Sequence, residues 1–430
     1  MIKHLRYLPP EDLGIVPNLE ADFIRNSASL PEAQKLSELT AAKGSPSKGI
    51  FRFCEGSFFT FHYKDEQTRT VCLKRVIFRS NSIFGRGTTV VQVECACRHC
   101  LPNQCNWQGK KLWAFVDRCK ELAQGEHAWV LNHLPNIYCS FDIPFRDGLP
   151  QDNFKKEFED GDEMRVVRGS IQEELKPLSS LKTAKEYSQV FCDIIQCQHW
   201  VWKCAQIFHR DVSKGNFMVR EKDGKKYGVL NDWDLAIWLN NERDEPTSFI
   251  RTGTRPYMAH EQQSVHWKGP HRYRHDLESI FYVMLLFVCL YSDPNEKVPH
   301  LEIKESRYEE WHWRDDEFLH DKKISVIYAA PFRPPVTPFF IGFRLWLTEL
   351  QNRLRRGFSF LGDSRVEAAM QEASQSNTDG DSQSDNLPPF DMETLGGHFS
   401  YERVGMIMHK FNKEQLITHG LEWQEILEPL

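Results

Sequence analysis

Asp211 and Asn216 share one short loop, and Asp232 follows in a second cluster, Asp232-Trp233-Asp234. Together they combine a carboxylate able to take up a proton with two oxygen donors suited to a hard cation. Moving a phosphoryl group from a nucleotide to a hydroxyl needs little covalent help from a protein. It needs the hydroxyl oriented, the triphosphate held and the charge neutralised. Asp211 suits the first task, as the base that accepts the hydroxyl proton. The Asn216 amide oxygen and the Asp232 carboxylate, at the end of the apolar run Gly228-Val229-Leu230-Asn231, suit magnesium.

The order His209-Arg210-Asp211, Asn216, Asp232 is that of the protein-kinase signature H-R-D-x-x-x-x-N followed by D-x-x. Either triplet alone reads as easily as a charged turn or a loop; both in this order do not. Gly253-Thr254-Arg255-Pro256-Tyr257-Met258-Ala259-His260-Glu261 resembles the G-T-x-x-Y-x-A-P-E segment that closes a kinase activation loop. In that comparison Thr254 lies near Asp211 and Glu261 anchors the segment. His260 replaces a proline whose ring restricts the backbone, which predicts a softer anchor. Asp276, in Arg274-His275-Asp276-Leu277-Glu278-Ser279, matches the aspartate with which kinases hold the backbone of the catalytic loop.

The elements that must position these residues follow from patterning. Phe58 to Tyr63, Val71 to Phe78 and Thr88 to Val93 are rich in β-branched and aromatic residues and read as strands. The turn Phe84-Gly85-Arg86-Gly87-Thr88 between the last two has bare backbone that suits a phosphate, and suits an ordinary hairpin equally. Helical spacing begins near residue 111, with Phe115, Val116, Cys119, Leu122 and Ala123 on one face. Glu163 to Val167 reads as a strand leading to a hinge. Lys185 to Gln206 reads as a long helix, apolar at Val190, Ile194, Cys197 and Val201, that delivers the chain to His209. The run Ile280 to Tyr291 is too short to cross a bilayer and is expected to be a core helix. Further helices are expected around Ile341 to Arg356, and residues 363–388, rich in Ser, Gln, Asp and Asn, as a disordered acidic insertion.

Composition narrows the class. The chain of 430 residues is 40% hydrophobic and has a formal net charge of -6, so it can bury a substantial core and gives no sign of a nucleic-acid partner. Arg353-Leu354-Arg355-Arg356 reads as a solvated helix face. No apolar signal follows Met1, so a cytoplasmic or nuclear location without membrane attachment is expected. The 12 cysteines do not then form a secreted disulfide framework. Cys95, Cys97, Cys100 and Cys105 with His99 have zinc-ligand chemistry but crowd into one segment. Cys95 and Cys97 also continue the strand alternation of Val91 and Val93.

Phe84-Gly85-Arg86-Gly87-Thr88, His133-Leu134-Pro135, His209-Arg210-Asp211-Val212-Ser213, Asn231-Asp232-Trp233-Asp234-Leu235 and Arg274 to Ser279 together resemble the fungal-type protein kinase domain. The resemblance spans residues 84 to 279 and continues more weakly through Phe390 to Gly397. It implies an α+β, bilobal protein-kinase-like fold with a small β-rich N-lobe and a larger, mainly helical C-lobe. Residues 1–48 would be a lead-in, 49–168 the N-lobe, 169–362 the C-lobe, and 389–430 the end of the C-lobe and tail. It further implies ATP and Mg2+ as cofactors, a protein substrate accepting phosphate on Ser or Thr, and catalytic roles for Asp211, Arg210 and Lys214. Gly85, Arg86, Gly87, Thr88 and Lys111 would face the nucleotide, Asn216 and Asp232 the metal, and His209, Thr254, Glu261 and Asp276 would hold structure or substrate.

Departures keep other readings open. The strand lysine and helix glutamate that grip the α- and β-phosphates have no clear counterpart. Lys111 is followed too soon by Glu121, Lys74 precedes the glycine turn, and the chain looks shortened near residues 105–115. Ser213 occupies the position of a γ-phosphate lysine, for which Lys214 is the substitute, and Asp234 replaces the last glycine of D-F-G. A pseudokinase or scaffold is the first alternative. A small-molecule phosphotransferase is the second, disfavoured by the peptide-docking segment Gly253 to Glu261. Substrate, pathway and oligomeric state are not encoded legibly. Thr247, Ser248 and Thr252 are candidate phosphosites.

Overall fold

The computed structural model describes residues 58–62, 68–79, 89–95, 112–143, 167–239, 253–298, 308–375 and 390–419. Its contacts divide the chain into two compact units, Met1–Gln108 with Tyr138–Glu174, and Gly109–Ile137 with Leu175–Leu430.

In the first unit, strands β1 (Phe58–His62), β2 (Thr68–Arg79) and β3 (Thr89–Cys95) form an antiparallel sheet in that order. The register runs from Phe58 opposite Cys72 to His62 opposite Thr68, and from Val71 opposite Cys95 to Arg79 opposite Thr89. β4 (Ile137–Ile143) and β5 (Val167–Gln172) make a second, two-stranded sheet. On the first sheet Lys74 pairs with Glu94 at 2.5 Å, both exposed, and Arg75 donates to Gln92, which donates to Glu174.

The second unit is mainly helical. Helix α1 (Leu112–Leu122) buries Phe115, Val116 and Cys119, and Phe115 meets Trp238 at a ring separation of 4.9 Å. A 3-10 turn, Gly125–Asn132, follows. The sequence reading groups residues 49–168 in one N-terminal lobe, whereas α1 and this turn pack with the second unit. Next come β6 (Lys176–Pro177) and helix α2 (Ala184–Trp200). A capping box starts α2: the Thr183 hydroxyl accepts from Glu186 N, and the Glu186 carboxylate accepts from Thr183 N. Val190, Ile194, Cys197 and Val201 are all buried.

β7 (Ile207–Phe208), β8 (Phe217–Lys222), β9 (Lys225–Leu230) and β10 (Ile237–Trp238) follow, with β7 pairing β10 and β8 pairing β9, both antiparallel. Asp223 and Gly224 join β8 to β9 with φ of 52° and 71°, the two left-handed residues a tight hairpin turn requires. At Gly228 a Cβ would come within 2.6 Å of the Val190 carbonyl, so only glycine lets β9 lie this close to α2. His133 Nδ1 donates to the Gly228 carbonyl at 2.8 Å, and Arg220 donates to the carbonyls of Leu131, Asn132 and Leu134. The His133-Leu134-Pro135 turn is thereby tied to the strand that leads to Asp232.

Short helix α3 (His260–Gln263) precedes α4 (Tyr273–Leu290), every residue of which is buried. A helix apolar around most of its circumference belongs in a core. Among the described residues no helix is long and apolar enough to cross a membrane. Around it stand α5 (Asp316–Ile327), α6 (Phe343–Gln375) and α7 (Tyr401–Met408), with the hairpin β11 (Lys410–Phe411) and β12 (Glu414–Gln415). Glu393 accepts from Arg272 Nη1 at 2.8 Å and from Tyr273 N at 2.7 Å, placing its carboxylate at the start of α4, where helix dipoles favour negative charge.

Helices and small sheets thus mix in an α+β fold. Disorder is expected over residues 363–388, but α6 continues through Gln375. Val366, Glu367, Ala368, Ala369, Met370 and Gln371 include good helix formers, and that propensity outweighs the polarity of the stretch. Residues 1–48, Gly85, Arg86, Gly87, Thr88 and Lys111, together with Glu163, Cys97, His99, Cys100 and Cys105, lie outside the described residues. So do Thr247, Ser248, Thr252 and residues 376–388.

Candidate active site

α2 passes through a π-helical turn, Val201–Ala205, and stops at Gln206, whose φ of 59° turns the chain into β7. Such turns break helical register and are common next to functional residues. His209 emerges buried. Its backbone N–H donates to Asp276 Oδ2 at 3.2 Å, and its Nε2 donates to the Asn231 carbonyl at 3.0 Å. Asp211 N donates to His209 Nδ1 at 3.3 Å, so Nδ1 is unprotonated and the ring is neutral. Burial lowers the His209 pKa, against the pull of the Asp276 and Asp211 charges. The imidazole therefore bridges the loop of Asp211 to the strand end before Asp232, with its edge on Trp233 at 4.9 Å.

Arg210 has a φ of 69°, and the loop continues to the 3-10 turn Lys214–Asn216. Asp211 Oδ1 accepts from Thr254 N at 3.0 Å and from Thr254 Oγ1 at 2.8 Å. Asn216 Nδ2 donates to the Asp211 carbonyl at 2.7 Å, and the Asn216 carbonyl accepts from Asn231 N at 2.9 Å. With Nδ2 engaged, the amide oxygen is the side-chain atom left to meet a cation. Asp232 is exposed, with a φ of 60°, and its Oδ1 accepts from Asp234 N at 3.4 Å. Trp233 turns inward and donates from Nε1 to the Leu230 carbonyl at 2.9 Å. The left-handed kink at Asp232 thus separates an outward carboxylate from a buried indole.

Among the described residues no three His, Cys, Asp or Glu side chains converge as a metal cluster. Magnesium bound with a nucleotide needs no such cage, since phosphates and water fill most of its octahedron. One amide oxygen and one exposed carboxylate fit that demand. Lys214 points elsewhere: its ammonium donates to the Tyr291 hydroxyl and sits 4.1 Å from the centre of that ring. It lines a cavity of about 420 Å³ with Tyr291, Phe287, Met218 and Asn295.

Beneath Asp211 lies a buried polar network. Gly253 has a φ of 143°, and a Cβ there would touch the Met258 side chain at 3.0 Å. Glu261 accepts from Arg274 Nη2 at 2.5 Å and His275 Nε2 at 3.0 Å; Arg274 and His275 are fully buried. Burial raises the Glu261 pKa, but the His275 hydrogen bond and the Arg274 charge overcome it and hold the carboxyl low. His260 does not soften this anchor. Its backbone N and its Nδ1 each lie 2.9 Å from Glu278 Oε1, and its carbonyl accepts from His320 Nδ1. Burial pushes Glu278 up, yet the His260 charge and hydrogen bonds from His260 and Tyr282 bring it down to about 2. Asp276 holds His209 N through Oδ2 and His271 Nε2 through Oδ1, and is buried with a lowered pKa.

The Asp211 carboxylate, the Asn216 and Asp232 oxygens and the segment Gly253 to Glu261 are thus joined through hydrogen bonds from the first turns of α4. Residues 148–289 match the family model of fungal protein kinases. The matched segment contains the loop of Asp211, the Asp232 cluster and Gly253 to Ser279; Phe84 to Thr88 and His133 to Pro135 lie before it. The match supports kinase as the class of function. No curated protein matches the chain. Within the matched segment, Arg274, His275 and Glu278 are polar partners that the motif spacing marks but does not assign. Outside it, Lys323 carries three polar contacts to the segment, and a lone lysine gives no motif to find it by.

Proposed function

We propose that the chain is an ATP-dependent protein kinase that transfers the γ-phosphate to Ser or Thr hydroxyls. The observation that carries this is the double hydrogen bond from Thr254 to Asp211 Oδ1, which fixes the carboxylate beside the segment Gly253 to Glu261. Asp211 orients the acceptor hydroxyl and takes its proton. The Asn216 amide oxygen and the Asp232 carboxylate would hold magnesium, and Mg·ATP would supply the transferable phosphoryl group and the charge neutralisation. His209 keeps the two halves of the site in register through the Asn231 carbonyl. Asp276 fixes the loop by its bond to His209 N. Glu261 ties the docking segment to α4.

A pseudokinase is the second reading, and two observations favour it. Glu121 on α1 pairs with Arg118 of the same helix at 3.5 Å, and Lys74 pairs with Glu94 on the exposed sheet. Among the described residues neither glutamate meets a phosphate-gripping lysine of the kinase kind. Thermal unfolding with Mg·ATP, run beside radiolabelled transfer to casein, separates the readings. Nucleotide at 100 times its dissociation constant stabilises by about 2.7 kcal/mol. Stabilisation with transfer is the expected result. Stabilisation without transfer leaves the pseudokinase, and neither effect sinks both.

A further inference from the structure

We propose that Lys323 is a positioning residue for Asp211, acting from α5 through the segment Gly253 to Gln263. Its ammonium donates to the Met258 carbonyl at 2.6 Å, to Gln263 Oε1 at 2.8 Å and to the Arg255 carbonyl at 3.3 Å. The rings of Tyr282 and Trp311 cover it at 4.6 and 5.4 Å. The residue is fully buried.

The path to the base has few links. Lys323 holds the Met258 carbonyl; Met258 N and Tyr257 N donate to the Thr254 carbonyl at 3.3 and 2.9 Å; Thr254 N and Oγ1 donate to Asp211 Oδ1. Gln263 closes a second strand of the path, since its Nε2 donates to the Arg255 carbonyl at 2.8 Å. One ammonium with three donors therefore sets the spacing of Arg255, Met258 and Gln263 in the stretch that carries Thr254.

The position itself argues for a role beyond packing. Leu319, Lys323 and Ile327 form the buried stripe of α5, where a third apolar side chain would fill the space without a buried charge. Burial lowers the Lys323 pKa to about 7, although Glu278 and Asp316 pull it back up. A lysine kept at such a place costs desolvation that hydrogen bonds and ring faces only offset. Leucine or methionine would avoid that cost and would leave the Arg255 and Met258 carbonyls without this donor.

The proposal rests on Asp211 being the base, so the test has an arm that does not. In the full chain, Lys323→Met is expected to speed amide hydrogen exchange over Gly253 to Gln263 by about tenfold or more, while α4 stays protected. With casein as acceptor, kcat falls about tenfold, as expected when a remote change misplaces the base, and KM for Mg·ATP stays within about twofold. Gln263→Leu, which removes one acceptor, gives the same pattern in smaller measure and carries the test if Lys323→Met does not fold. Unchanged exchange in the segment, or a kcat within about twofold of wild type, overturns the positioning role. Absence of any transfer by the wild-type chain refutes the kinase reading instead, and exchange still decides whether Lys323 holds the segment.

Discussion

Two groups of carboxylates in the helical unit differ in what they touch. Asp211 and Asp232 lie in loops beside left-handed backbone, partly or fully open to water. Asp276, Glu278 and Glu261 lie one layer down, buried against Arg274, His275, His260 and His271. On the proposed function, the contrast is between two uses of the same side chain. A carboxylate that must exchange a proton or meet a cation keeps an oxygen toward solvent. A carboxylate that must hold a loop gives its oxygens to fixed donors and loses its freedom to react.

The largest effect is expected in the open group. Asp211→Asn retains the shape and can still accept from Thr254, but it cannot take a proton. Transfer to casein should fall by about 10²- to 10⁴-fold, the usual worth of a general base, with the unfolding midpoint in urea unchanged. Wild-type rates from the variant would show that Asp211 is not the base and would remove the functional half of the contrast.

Next in size is the buried group. Glu261→Ala leaves the Arg274 guanidinium buried without its carboxylate. Breaking a pair of this kind by removing one partner typically costs about 3–5 kcal/mol. Urea unfolding should report that loss directly. A cost below about 1 kcal/mol, the worth of an exposed pair, would mean that the layer under Asp211 is not what holds the segment.

Acid should act on the layers in sequence. His133, His199 and His275 are held near pKa 4 by burial, so unfolding lets each bind a proton between the folded value and the ordinary 6.5. The unfolded chain then binds more protons, and stability falls as pH drops from about 6.5 to 4. Asp193, raised to about 7 by burial, works in the opposite direction over nearly the same range, one group against three. Glu278 loses its contribution lower still, as pH falls below the ordinary 4.5 toward about 2. Urea midpoints at pH 7, 5.5 and 4 should decline stepwise. A flat profile would show that the buried imidazoles are not neutral in the folded protein.

Periodicity made α1 and α2 legible in the sequence, because each presents one repeating apolar face, while β1 to β3 showed through β-branched and aromatic residues and α4 as an apolar run. The outward carboxylates were legible for another reason: Asp211, Asn216 and Asp232 sit at fixed offsets in chain order. The partners of the buried layer come from residues distant in sequence, so the pairing of Glu261 with Arg274 and His275 needed three dimensions. Lys323 shows the limit most clearly. Its place between Leu319 and Ile327 on an apolar stripe is a signal, but an i+4 pattern cannot say which carbonyls the ammonium will meet. Residues 363–375 went the other way, since polar composition hid a helix that propensity would have favoured.

The smallest effect joins the two layers. Thr254 belongs to the segment anchored below, yet its hydroxyl and backbone N–H both reach the open carboxylate above. Thr254→Val keeps the size and the backbone donor and removes only the hydroxyl. A hydrogen bond to a charged group is worth about 1.5–3 kcal/mol, but the remaining N–H still restrains Asp211, so a loss of about tenfold in kcat is expected, near 1.4 kcal/mol. Thr254→Ser, which restores the hydroxyl, should recover most of it. If valine matched wild type while Asp211→Asn did not, the base would be oriented from its own loop alone, by Asn216 and His209, and the buried layer would serve stability without guiding the chemistry.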